Sequence, residues 1–178
     1  MKMNQRYHPS QILLHAVIGL LIVLTFAFGK YVASLPLSPA KFQLISYHKW
    51  GGMLVLLLVV LRIVLRLLKG APPLPATMSP LARLAAHAGH LALYVLMLAV
   101  PLSGWLMSSA YGIPVVLFGV LPLPDLIAAN PALGEQLGEV HELLNQLLLI
   151  TVILHVLAAL KHHFIDRDGL LQRMSLRR

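Results

Sequence analysis

Three histidines, His141, His155 and His162, stand at intervals of 14 and 7 residues in the last apolar stretch of the chain, EVHELLNQLLLITVILHVLAALKHHF from Glu139 to Phe164. On an α-helix, 14 residues fall about 40° short of four turns and 7 about 20° short of two, so one stripe carries all three imidazoles. The first two lie roughly 21 Å apart along the axis, about two thirds of the hydrocarbon thickness of a bilayer. Imidazole is a common metal ligand and titrates near neutral pH, so the chemistry on offer is ligation and proton transfer. The chain has nine His and seven Met but no Cys, which excludes disulfides, iron–sulfur clusters, zinc fingers and thiol catalysis.

The elements that position these residues are membrane helices. Of 178 residues, 58% are hydrophobic and 11% charged, and the mean hydropathy is +0.81. A soluble chain carries about 25% charged residues. Four stretches are long and apolar enough to span, at about 12–28, 47–68, 81–107 and 140–160. With short connections they predict an all-α, integral membrane, antiparallel four-helix bundle in a single domain over 1–178. The first stretch is too long for a signal-peptide core and contains His15, so it counts as a span.

Basic residues set the orientation. A cytoplasmic N-terminus puts Lys2, Arg6, Arg62, Arg66, Lys69, Arg83, Lys161, Arg167, Arg173, Arg177 and Arg178 inside against Lys30, Lys41 and Lys49 outside, eleven to three, so both termini are expected in the cytoplasm. The net charge of +8 therefore reads as a topology signal and not as a nucleic-acid surface. Lys30–Ser46 is expected as a short outer loop, Gly70–Pro80 as a Pro-rich inner link, and Ser108–Gly138 as a long outer loop along the membrane interface.

With depths assigned, the ionisable residues pair across helices. His48 and His141 open helices 2 and 4 from the outside, and His15 and His155 lie near the inside ends of helices 1 and 4. Intramembrane histidines are costly, so two depth-matched pairs point to a shared purpose. Two haem b groups meet that description: each is held without cysteine by two neutral imidazoles, an arrangement suited to electron transfer. His90 also lies at inner depth and competes with His15 or His155. His87, His8 and His163 fit headgroup or solvent contacts. Gly19, Gly51 and Gly52 follow the helix 1 and helix 2 histidines on the same side and would leave room for a porphyrin, although small residues also serve plain helix packing. Arg62 and Arg66 could meet haem propionates or snorkel to headgroups. His162, beside Lys161, could protonate a reduced quinone or contact a headgroup. The six carboxylates, Asp125, Glu135, Glu139, Glu142, Asp166 and Asp168, lie in or beside the loop and tail, and no hydrolase, zinc-protease or phosphate-loop motif occurs.

The stretches YHPSQILLHAV, YHKWGGMLVLLLVVLRIVLRL, LARLAAHAGHLALYVLMLAVPLSGWLM, VHELLNQLLLITVILH and ALKHHFIDRDGLLQRM cover nearly the whole chain. Together they resemble the bacterial cytochrome b561 family of dihaem four-helix membrane proteins. The resemblance implies one haem between His15 and His155, another between His48 and His141, and a quinone site at His162. It also implies an inner-membrane electron carrier that moves electrons from a periplasmic donor to ubiquinone, superoxide being the donor for one member. His15-Ala16 replaces the His-Trp of the superoxide oxidase type. Two other functions fit the same residues: a haem-bearing anchor for a periplasmic partner protein, and a His-lined metal transporter.

Overall fold

The computed structural model describes residues 6–75 and 78–175. Lys2, Arg177 and Arg178, counted in the charge bias, lie outside the described residues. Four long helices follow one another: α1 (Pro9–Ser34), α2 (Pro39–Lys69), α3 (Pro80–Ala110) and α4 (Pro131–Lys161). Each starts the same way, with a capping residue followed by proline at the first helical position: His8-Pro9, Ser38-Pro39, Ser79-Pro80 and Asn130-Pro131. Proline has no N–H to leave unpaired there and its φ is already helical, while the capping side chain accepts an orphan amide of the first turn. His8 is thus a helix cap and not a loose loop residue. Its Nδ1 accepts the Ser10 amide at 3.3 Å, and Gln11 Oε1 returns a bond to the His8 amide at 3.2 Å.

These caps correct the loop boundaries read from the sequence. Pro39 and Pro131 do not interrupt loops but begin helices, so the connection between α1 and α2 shrinks to residues 35–38 and α4 starts well before Val140. Each helix also outruns the apolar stretch that marks its span, because polar turns extend it beyond the hydrocarbon. All four remain long and apolar enough to cross a membrane, and the fold is the antiparallel four-helix membrane bundle.

The long loop is not wholly irregular. It holds a two-stranded hairpin, β1 (Val116–Leu117) and β2 (Leu121–Pro122), paired Val116 to Pro122 and Leu117 to Leu121. Phe118 and Gly119 make its turn with φ of 53° and 74°, a left-handed geometry that costs glycine little. Trp50 fastens the hairpin to α2: its Nε1 donates to the Val116 carbonyl at 2.7 Å, and its ring lies 5.2 Å from that of Phe118. Two-residue strands of Val, Leu and Pro carry no alternation long enough to be read from sequence.

Packing within the bundle is uneven. α3 packs most extensively along α4, α1 along α2, and α2 along α3, whereas α4 meets α1 and α2 only sparsely. A buried plug of Ile18, Val55, Val59, Met97 and Leu148 draws on all four helices near mid-bundle. Most other large apolar residues are exposed, Leu20 and Leu57 among them, as a lipid-facing surface requires. At the opposite end from the hairpin, which carries the arginines of α2, the tail is tied in. Gln11 Nε2 donates to the Gly70 carbonyl at 3.0 Å, and the Tyr7 amide donates to the Arg173 carbonyl at 3.2 Å.

Candidate functional site

The gap between α4 and the α1–α2 pair is where the histidines converge. At the hairpin end, His48 of α2 and His141 of α4 line one apolar cavity of about 160 Å³. Thr25, Gly52, Met97, Pro101, Asn145 and Leu149 also line it, so all four helices contribute walls. Helices in lipid gain little from burying apolar surface against one another. Sparse packing here therefore leaves room that an apolar ring system would fill.

The ring of His141 is fixed on one side. Its Nδ1 lies 3.0 Å from the Val100 carbonyl and 2.9 Å from Ser103 Oγ. A carbonyl only accepts, so the proton sits on Nδ1 and the lone pair of Nε2 is left for a metal. Ser103 Oγ donates to the same carbonyl at 2.8 Å, and Asn145 Nδ2 donates to the backbone carbonyl of His141 at 2.7 Å. His48 has the opposite character: its Nδ1 is buried without a hydrogen-bond partner. The Thr25 carbonyl lies nearby but outside bonding geometry. An unpaired buried imidazole nitrogen is costly unless the ring has another engagement.

Two glycines make space for these rings. A Cβ on Gly29 of α1 would stand 2.6 Å from His48 Cε1, and one on Gly104 of α3 would stand 3.0 Å from His141 Cε1. The glycines singled out from sequence behave differently. Gly52 does line the cavity, with nothing within 4 Å of an added Cβ, but Gly51 faces Thr25 at 3.0 Å in the α1–α2 contact. A Cβ added to Gly19 would meet nothing within 4 Å. Gly29 and Gly104 carry no signal in the sequence because the rings they accommodate belong to other helices.

At the other end the structure gathers three imidazoles. The ring centroids of His15 and His155 are 6.1 Å apart, and those of His90 and His155 5.5 Å apart. Two imidazoles on one metal ion, each bonded at about 2 Å, have ring centres roughly 6 Å apart, so both pairs have a suitable separation. His90 Nδ1 donates to the Ala86 carbonyl at 2.7 Å, a turn back on its own helix, which leaves its Nε2 unprotonated. Arg62 lies within electrostatic reach of all three, and its Nη1 donates to the Gln11 carbonyl at 2.7 Å. Arg66 reaches His90 electrostatically.

His162 stands beyond this cluster at the end of α4, its Nδ1 2.7 Å from Asp168 Oδ2 and 3.1 Å from Asp166 Oδ2. Of the hairpin-end lysines, Lys30 pairs with Glu142 at 3.1 Å and Lys49 donates to the Ile113 carbonyl at 3.3 Å. Lys41 closes the α1–α2 turn through the carbonyls of Ala33 and Leu35 at 3.3 and 2.6 Å.

The model of the prokaryotic cytochrome b561 family matches residues 6–175. The chain belongs to that family. It is 36% identical over 172 residues to cytochrome b561 homolog 2 of Escherichia coli K12, covering 96% of this chain and 91% of that one. It is 30% identical over 172 residues to the probable superoxide oxidase CybB of Yersinia pestis, covering 97% of both. With cytochrome b561 homolog 1 of Escherichia coli K12 the identity is 26% over 174 residues. Membership makes the chain a haem b protein, and four apolar spans make it a multi-pass inner-membrane one. The residues present fit the group: His48 and His141 share an apolar cavity, one imidazole has its Nε2 freed, and the other has no partner of its own.

The Ser103 contact gives a graded test of this fit. Ser103→Ala leaves the Val100 carbonyl to orient His141 alone and is expected to weaken haem retention about tenfold. The rate of haem transfer to excess apomyoglobin measures it, and an unchanged rate would show that the hydroxyl has no part in holding the ligand.

Proposed function

We propose that this cytochrome b561 carries two haem b groups, one held by His48 and His141 and the other by His15 and His155, and moves electrons from a periplasmic donor to ubiquinone. The observation that carries the reading is the placement of histidines at two depths of one gap, with α4 contributing to both ends and an apolar plug between them. Haem b, when bound, supplies reversible one-electron exchange. The protein's own part is to hold two ligand sets roughly 21 Å apart along α4 and to keep water from the intervening core. Arg62, beside the inner imidazoles, offers the donors that would meet a propionate. Arg66 serves the same end or anchors in headgroups.

The charge bias supports both termini in the cytoplasm, which makes the hairpin end periplasmic and the His162 end cytoplasmic. The name of the Yersinia relative puts superoxide first among the donors. Each superoxide gives up one electron and leaves as dioxygen, so two of them, with two protons, convert one quinone to quinol. His162 is the residue placed to deliver protons at the cytoplasmic face.

The test is quinone reduction by purified protein in nanodiscs, driven by enzymatically generated superoxide. Quinol formation that ceases when superoxide dismutase is added is the expected result. Electron transfer only in the presence of a periplasmic partner protein would instead mark a relay subunit, and a colourless preparation from haem-replete cells would mark a transporter.

Lys49 refines the test, because it neighbours His48 and points toward the hairpin. Lys41 is a poorer choice, since its amine holds the α1–α2 turn. Lys49→Glu is expected to slow superoxide-driven turnover several-fold at low salt, the difference fading as salt screens the field. Equal rates for both proteins at every ionic strength would reject steering of the anion.

A further inference from the structure

The tail of the protein turns back on itself in a way that an uninterrupted helix would not. After Lys161 the chain makes one π turn, His162–Asp166, and then bends through Arg167 and Gly169, both left-handed with φ of 51° and 76°. In a continuing α-helix, Asp168 would lie six residues and about 240° around the axis from His162, on another face. The bend instead brings its carboxylate to the imidazole at 2.7 Å. Both oxygens of Asp168 are engaged: Oδ2 with His162 Nδ1, and Oδ1 with the Leu170 amide at 3.1 Å. The side chains of His162 and Asp168 are 21% and 15% exposed, so the pair is largely enclosed.

The second carboxylate is committed elsewhere. Asp166 accepts from Lys161 Nζ through both oxygens, at 2.8 and 2.6 Å, and reaches His162 at the longer distance of 3.1 Å. Lys161, Asp166 and His162 are thus ordered along the end of α4, with Asp168 the partner that faces His162 without a competing cation in that set. A carboxylate is an acceptor only, so the bond requires hydrogen on His162 Nδ1. Nε2 is then the nitrogen left to exchange a proton while the ring stays in place.

We infer that Asp168 is a positioning residue for proton delivery to quinone. It holds the His162 ring and fixes hydrogen on Nδ1, so that only Nε2 exchanges a proton with substrate. The inference rests on the reading of His162 as the proton donor. Quinone takes two electrons that originate from the periplasmic one-electron donor. The protonated imidazole breaks its Nε2–H bond as an O–H bond forms on one quinone oxygen. The neutral ring keeps its Nδ1–H on Asp168, and its Nε2 lone pair accepts a hydrogen bond from the new hydroxyl. Reprotonation of Nε2 from cytoplasmic water resets the residue, and the second quinone oxygen takes its proton from water.

Nitrogen-15 spectra of histidine-labelled holoprotein in nanodiscs, together with quinone-reduction kinetics, test the assignment. In the native protein neutral His162 should carry its proton on Nδ1, and in the Asp166→Ala/Asp168→Ala double variant on Nε2, the form favoured in water, with Asp168→Ala intermediate because Asp166 still lies 3.1 Å from Nδ1. Asp168→Ala should lower kcat about tenfold with little change in KM or in haem absorption. Asp168→Asn, whose amide oxygen still accepts from Nδ1, should recover most of kcat, and Asp166→Asn should change it less than Asp168→Ala does. An unchanged tautomer in Asp168→Ala, or kcat equal to that of the native protein, overturns the inference. His162→Gln separates it from the reading beneath it. Native turnover in that variant removes His162 as donor and the inference with it, whereas lost turnover with unaffected Asp168→Ala kinetics overturns the role of Asp168 alone.

Discussion

His141→Ala is expected to leave about one haem per chain in place of two, the lost group being the one at the hairpin end. No other imidazole stands ready to take over the position. Among the described residues lining the outer cavity, His48 and His141 are the only imidazoles. The alanine also removes the ring that the Val100 carbonyl and Ser103 hydroxyl orient. His48→Ala removes the opposite ligand and should give the same stoichiometry, with the inner haem still reducible by dithionite. The pyridine haemochrome assay measures the ratio, and two haems retained in either variant would reject the outer ligand pair.

His155→Ala should have the larger functional effect. The His155 ring is the common neighbour of His15 and His90, so its removal takes the shared member from both candidate pairs. One haem should be lost, and superoxide should still reduce the remaining haem at the hairpin end while quinone reduction falls by at least a hundredfold, because the proposed route between the two ends of the bundle would be cut. The companion variants decide between the partners: His15→Ala should lose the inner haem and His90→Ala should keep it. The reverse outcome would assign the inner iron to His90 and His155. Geometry alone makes His90 a strong competitor, since its Nδ1 is already tied to Ala86 and its Nε2 is free.

Much of this arrangement was legible in the sequence because the membrane simplifies the problem. Length and apolarity mark the spans, and antiparallel connection then matches depths, so that His48 falls level with His141 and His15 with His155 without any knowledge of side-chain packing. What depth does not encode is azimuth. Gly29, Gly104 and Ser103 act on histidines of other helices, and no periodicity within their own segments reveals that. The helix starts were misplaced for a local reason: Pro39 and Pro131 have the same identity whether they break a loop or begin a helix, and the capping Ser38 and Asn130 in front of them decide the matter. Asp168 is legible only as a tail carboxylate, because its contact with His162 depends on the bend at Arg167 and Gly169, which a helical projection of the tail does not contain. The hairpin-end lysines are legible as charges but not as contacts, and Lys41 proves to be a turn clamp.

The proposed arrangement puts two haems in one small bundle, at opposite ends of a shared helix. The haem-to-polypeptide ratio of the purified native protein, measured by pyridine haemochrome against amino-acid analysis, tests it most directly. Two haem b per chain is the predicted value, and one or none from haem-replete cells would contradict it.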